Sequence, residues 1–76
     1  MDELTYMRLP GYRGGTIDYY REDAVRDEDG VITYLEGVFT SRDGNSFWGR
    51  LSFEDGKPDE LELLDVNGST IDYIYF

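Results

Sequence analysis

The side chains available for chemistry in this chain are carboxylates, tyrosines and arginines. Its 76 residues include 17 Asp and Glu, seven Tyr and seven basic residues, with no His and no Cys. The absence of thiols removes disulfide staples, thiolate zinc sites and cysteine nucleophiles. The absence of imidazole removes histidine acid–base chemistry and histidine-ligated metals. Two carboxylates can run glycoside hydrolysis, but such a site also needs a sugar cleft, which a small sheet has little wall to build. With 17 carboxylates in the chain, a pair at a suitable separation carries no information. Asp27-Glu28-Asp29, and Asp65-Val66-Asn67-Gly68-Ser69 with Asp72 beyond it, offer oxygen ligands. Neither follows the EF-hand spacing with its closing bidentate Glu, and both read as turn residues. Gly11-Tyr12-Arg13-Gly14-Gly15 lacks the Lys and Ser/Thr of a phosphate-binding loop. The chain is therefore expected to be no enzyme, with no cofactor and no bound metal.

Charge carries the remaining functional signal. The net charge is −10 at pH 7, the wrong sign for neutralising nucleic-acid phosphates or for lying on an anionic membrane. One acidic cluster comprises Glu22, Asp23, Asp27, Glu28 and Asp29 around Arg26. The other comprises Glu54, Asp55, Asp59, Glu60, Glu62 and Asp65 around Lys57. On a strand, Glu60 and Glu62 point the same way, about 6.6–7 Å apart, a separation comparable to that of successive phosphates. A sheet carrying such rows imitates a nucleic-acid backbone and attracts a basic groove with fast electrostatic steering. Exposed Tyr and Trp are common interface anchors. The expected partner-binding set is Asp27, Glu28, Asp29, Glu54, Asp55, Asp59, Glu60, Glu62 and Asp72, with Tyr20 and Trp48.

The expected partner is a basic protein surface, such as that of a nucleic-acid-handling enzyme or complex. By size, charge and class the analogy is to phage-encoded inhibitors of restriction or CRISPR systems; no motif points to a particular family. Two other readings start from the same surface. An immunity protein or assembly subunit would add a larger apolar contact around Trp48 and the tyrosines. Adaptation to high salt would make ten Asp and a single Lys a property of a whole proteome. A small core under charge repulsion also favours stabilisation by a partner or a second copy.

The elements that must carry these residues are strands. Asp29-Gly30, Asp43-Gly44, Asp55-Gly56 and Asn67-Gly68 recur 12 to 14 residues apart. Asp-Gly and Asn-Gly provide the positive φ of tight hairpins. Between them lie β-branched and aromatic runs suited to a pleated sheet. Strands are expected over Leu4–Leu9, Thr16–Glu22, Val31–Ser41, Ser46–Glu54, Glu60–Val66 and Thr70–Phe76. The fold class is all-β: one antiparallel meander domain of five to six strands, with little or no helix, either open or curled into a partly open barrel. A three-residue Arg42-Asp43-Gly44 loop puts Phe39 opposite Phe47, Gly37 opposite Gly49 and Leu35 opposite Leu51 on one face. It puts Glu36 opposite Arg50 and Val38 opposite Trp48 on the other. Facing glycines are expected to mark a bend or the close approach of an aromatic ring. The last hairpin fits neither register cleanly: a two-residue turn sets Leu63 against Asp72, and a three-residue loop sets Glu62 against Asp72. Glu22–Asp29 has no decisive period, and the loop from Pro10 to Gly15 is the expected flexible point. Met1-Asp2-Glu3-Leu4-Thr5 lacks the basic and apolar regions of a signal peptide. No apolar run approaches the roughly 20 residues of a membrane helix, so the expected compartment is the cytoplasm.

Overall fold

The computed structural model describes residues 3–76; Met1 and Asp2, part of the segment read for a targeting signal, lie outside them. The strands are β1 (Leu4–Arg8), β2 (Gly15–Tyr20), β3 (Val25–Arg26), β4 (Ile32–Ser41), β5 (Ser46–Glu54), β6 (Lys57–Leu64) and β7 (Thr70–Tyr75). They form a single antiparallel sheet in the order β1-β2-β4-β5-β6-β7, with the two-residue β3 paired to β4 beyond the end of β2. The only helical piece among the described residues is a 3-10 turn at Arg21–Asp23. None of their helices is long and apolar enough to cross a membrane.

The β4–β5 register is the one that alternation demands. Phe39 pairs with Phe47, Gly37 with Gly49, Leu35 with Leu51, Glu36 with Arg50 and Val38 with Trp48. Gly44, at φ 93°, takes the left-handed position of the loop. The inner face collects Ile17, Tyr19, Leu35, Phe39, Leu51, Leu61, Leu63 and Ile74, all buried. At about 25 cal/mol per Å² of apolar surface, this strip is the main folding force. Tyr20, next to buried Tyr19, turns outward and is exposed.

A single sheet with no helical layer has to cover its own core, and two glycines let it do so. A Cβ on Gly37 would run into the backbone carbonyl of Asp18, the last β2 residue laddered to β4, so the two neighbouring strands are in close main-chain contact there. A Cβ on Gly49 would lie 3.0 Å from Leu61 Cδ1 and 3.5 Å from Ile17 Cδ1. The approach at Gly37 is by backbone with Tyr19 Cβ behind it at 3.1 Å, and at Gly49 by aliphatic side chains with Phe39 Cβ at 3.5 Å. The sheet curls but does not close into a barrel: β1 and β7 remain unpaired edges. What spans the gap is the loop from Pro10 to Gly14. Its Arg13 pairs with Asp72 of β7 at 2.5 Å, and the Gly14 carbonyl accepts from Arg42 Nε at 3.1 Å. The segment expected to be flexible is thus tied at two points.

The last hairpin combines both expected registers. Asp65 N–H donates to the Ser69 carbonyl, closing a three-residue loop with Gly68 at φ 82°. A bulge between Leu63 and Leu64 then shifts the pairing by one, so Leu63 meets Asp72 and Leu61 meets Ile74. The bulge avoids setting Glu62 against Asp72, while the Leu63–Asp72 pairing of the two-residue register remains. β6 begins at Lys57, three residues before the expected strand start at Glu60. Pro58 fits there because it sits beside the shift between Ser52 and Phe53, where a missing N–H is tolerated.

Gly37→Ala should destabilise the fold by about 1–3 kcal/mol, because the added methyl meets backbone that cannot rotate away. Gly49→Ala, which meets side chains, should cost less. Urea unfolding midpoints of the two variants check the ranking.

Candidate interaction surface

The hairpin turns carry Asp27, Glu28, Asp29, Asp43, Asp55 and Asp65, and three of the turns share one chemistry. Asp27 Oδ1 accepts from the N–H groups of Asp29 and Val31, at 2.9 and 3.0 Å. Asp65 Oδ1 accepts from those of Asn67 and Ser69, both at 2.9 Å. Ser41 Oγ accepts from Asn45 N–H at 3.2 Å. In each case the fourth residue, Gly30, Gly68 or Gly44, has positive φ and donates its N–H to the carbonyl of the first. The pattern is Asp or Ser, two residues, Gly: a side chain replaces part of the missing ladder, and Gly supplies the left-handed turn. The fourth turn is different. Asp55 (φ 51°) and Gly56 (φ 78°) make a two-residue turn between Glu54 and Lys57, the geometry that Asp-Gly favours.

Two of these turns meet. A Cβ on Gly56 would sit 3.4 Å from Val31 Cγ1, so the turn after β5 touches the turn before β4. Their contact gathers Asp27, Glu28, Asp29, Glu54 and Asp55 at one end of the sheet, with Asp59 a few residues into β6, and all six are exposed. Asp59 is fixed there by its carbonyl, which accepts from Phe76 N–H at 2.9 Å. Arg26 donates to the Gly30 carbonyl at 2.7 Å and so supports the turn. Among the described residues neither Arg26 nor Lys57 forms an ion pair.

The outer face carries a second group. Glu36, Arg50 and Glu62 lie side by side on β4, β5 and β6, with Arg50 3.5 Å from Glu36 and 3.7 Å from Glu62. Glu62 also accepts from the Thr70 hydroxyl. Its charge is therefore shared, and the expected row of two free carboxylates reduces to Glu60. Tyr73 lies opposite Glu62 and Tyr75 opposite Glu60, their rings stacked at 6.2 Å between centroids. Desolvation and then the Glu60 charge push the Tyr75 hydroxyl up. Tyr34 donates to Glu36 Oε1 at 2.7 Å, and burial followed by that bond raises its pKa to about 12. Trp48 is 46% exposed on this face, with exposed Val38 beside it. The open sheet provides no second core to cover it.

Asp72 stands apart from both groups. Opposite Leu63, it lies at the rim of the inner face, bonded to Arg13 and accepting from Tyr73 N–H at 2.8 Å. The Arg13 hydrogen bond first, and the Tyr73 N–H second, hold its carboxyl below the ordinary value of 3.8. Asp72 is a fastener between loop and edge strand. The feature absent from the sequence reading is a hollow beside Trp48 where β2 ends, formed with Tyr20, Tyr34, Asp18, Asp23 and Glu36.

Among the described residues no group of carboxylates is placed to hold a metal ion. No protein family, curated protein or solved structure matches the chain.

A depressed folded-state pKa contributes stability that is present above the unfolded value and lost as pH falls through the folded one. Asp72→Asn should therefore be less stable than the parent at pH 7, and the gap should close below about pH 3.8. Urea midpoints of both proteins between pH 2 and pH 7 check this, and a gap independent of pH would contradict the pairing.

Proposed function

We propose that this protein is a small acidic binder that covers a basic, nucleic-acid-binding surface on another protein. The observation that carries the reading is the meeting of two turns distant in the chain. It assembles Asp27, Glu28, Asp29, Glu54, Asp55 and Asp59 at one exposed end of the sheet. Like charges repel, so gathering them costs folding stability that a cationic partner would recover. The turns are held by backbone hydrogen bonds, so little ordering entropy is lost when a partner docks. The target class is a nucleic-acid-handling enzyme or complex, and inhibition follows from occupying the groove that phosphates use. In this scheme a phage-encoded inhibitor of host defence is the natural setting, with the host cytoplasm as its compartment.

The exposed Trp48 and Val38 support a second reading on a different surface, that of an immunity protein or assembly subunit with an apolar contact. The two readings differ in what releases the partner. Immobilised protein should capture a partner that excess duplex nucleic acid or raised salt elutes. Charge reversal of Asp29 and Asp55 to Lys should weaken capture at least about tenfold. A partner that resists both salt and duplex, but is lost on Trp48→Ala, would replace the first reading with the second.

A further inference from the structure

We infer that the hollow beside Trp48 is a receptor for an arginine side chain of a partner protein. It arises from a break in sheet pairing. Val38 of β4 pairs with Asp18 of β2, and Tyr34 pairs with Val25 of β3. Glu36, between them, has no strand residue opposite on that side. The 3-10 turn at Arg21–Asp23 carries the chain around this gap, leaving a depression of about 520 Å³ over the backbone of Gly37. Its volume falls within the roughly 300–1,000 Å³ of ordinary ligand pockets.

The lining fits a planar organic cation. Tyr20, Tyr34 and Trp48 supply aromatic surface, and Asp18, Asp23 and Glu36 supply the charge. Neither Arg nor Lys lines the hollow. Asp18 and Asp23 form no ion pair among the described residues, while Glu36 is shared between Tyr34 and Arg50. Aromatic faces attract cations through their quadrupole, and carboxylates at the same site add direct attraction. The carboxylates are not grouped as metal ligands, and most of the exposed wall is apolar. A hydrated metal ion gains little from such a wall, whereas a weakly hydrated guanidinium stacks on it and hydrogen-bonds at its edge.

The source of the arginine, a protein partner, rests on the proposed function; the hollow itself does not. The acidic end of the sheet would steer a basic surface into range, and this site would seat one side chain of it. Binding is tested with a short capped peptide containing one arginine, alongside versions carrying lysine or uncharged citrulline. Emission of Trp48, the single tryptophan, and the amide chemical shifts of Glu36 and Gly37 report occupancy. The arginine peptide should shift both signals saturably, lysine more weakly, and citrulline not at all. Trp48→Leu should weaken binding about tenfold by amide shifts, and Asp23→Asn should weaken it with Trp48 intact. Asp55→Lys, at the acidic end, should leave it within about twofold, because the intervening charge is largely screened at physiological salt. Equal binding of arginine and citrulline, no saturable shift, or an equal loss in Asp55→Lys and Asp23→Asn would overturn the inference. Saturable arginine binding upholds it whether or not duplex elutes the captured partner. Its absence removes it even where that elution succeeds.

Discussion

A sheet without a second layer has nothing but itself to bury its apolar face against, and this constraint shapes the molecule. The solution rests on the close approach of β2 to its neighbour β4 at Gly37, where main chain meets main chain, and on the space left by Gly49, which Ile17 and Leu61 fill. Removing two side chains from the core face reduces its hydrophobic content. It also lets the strands coil tightly enough to bury Ile17, Leu35, Phe39, Leu51 and Leu61 almost completely. Glycine at these two positions is thus a requirement of packing, in contrast to the turn glycines, whose positive φ is the requirement.

Coiling divides the surface into regions with separate chemistry. The concave side is bridged by the Arg13–Asp72 pair, which lies between a loop and an edge strand that no ladder joins. An exposed pair of this kind contributes little to stability, so it selects the position of the loop more than it stabilises the fold. The same carboxylate accepts from the Tyr73 N–H, placing a charge on edge strand β7, where an open edge would otherwise invite pairing with another chain. The convex side stays uncovered. Its charges are partly balanced where Arg50 lies between Glu36 and Glu62, and the unbalanced acids gather at the end of the sheet where two turns meet. The buried apolar strip and the exposed charges therefore occupy different parts of one layer.

Much of this organisation was legible in the sequence because strand alternation and turn chemistry are local. The β4–β5 hairpin followed from requiring Leu35, Phe39, Phe47 and Leu51 to share a side, and Gly44 fixed the loop that does so. Other features escaped because they depend on irregularities that a uniform register omits. The bulge at Leu63 and Leu64 allows a three-residue turn to coexist with the pairing of a two-residue one. The charged run after β2 has no period because it contains a 3-10 turn and a two-residue strand. Sequence alone groups Asp72 with the surface acids, because its Arg13 partner lies 59 residues away and becomes visible only in three dimensions. The aromatic hollow had no sequence signature, since it is made by the handover from β2 to β3 along β4. Asp or Ser three residues before Gly also occurs at the side-chain-capped turns of Asp27, Ser41 and Asp65, although Ser46 and Gly49 share that spacing inside β5.

The most direct test of the coiled sheet is a through-space proton contact in solution. Nuclear Overhauser effects should connect the α protons of Gly49 to the methyl groups of both Ile17 and Leu61, residues that reach it from strands β2 and β6. A flat sheet would retain the ladder contacts between Gly37 and Gly49 but lose the one from Ile17, and that result would contradict the account.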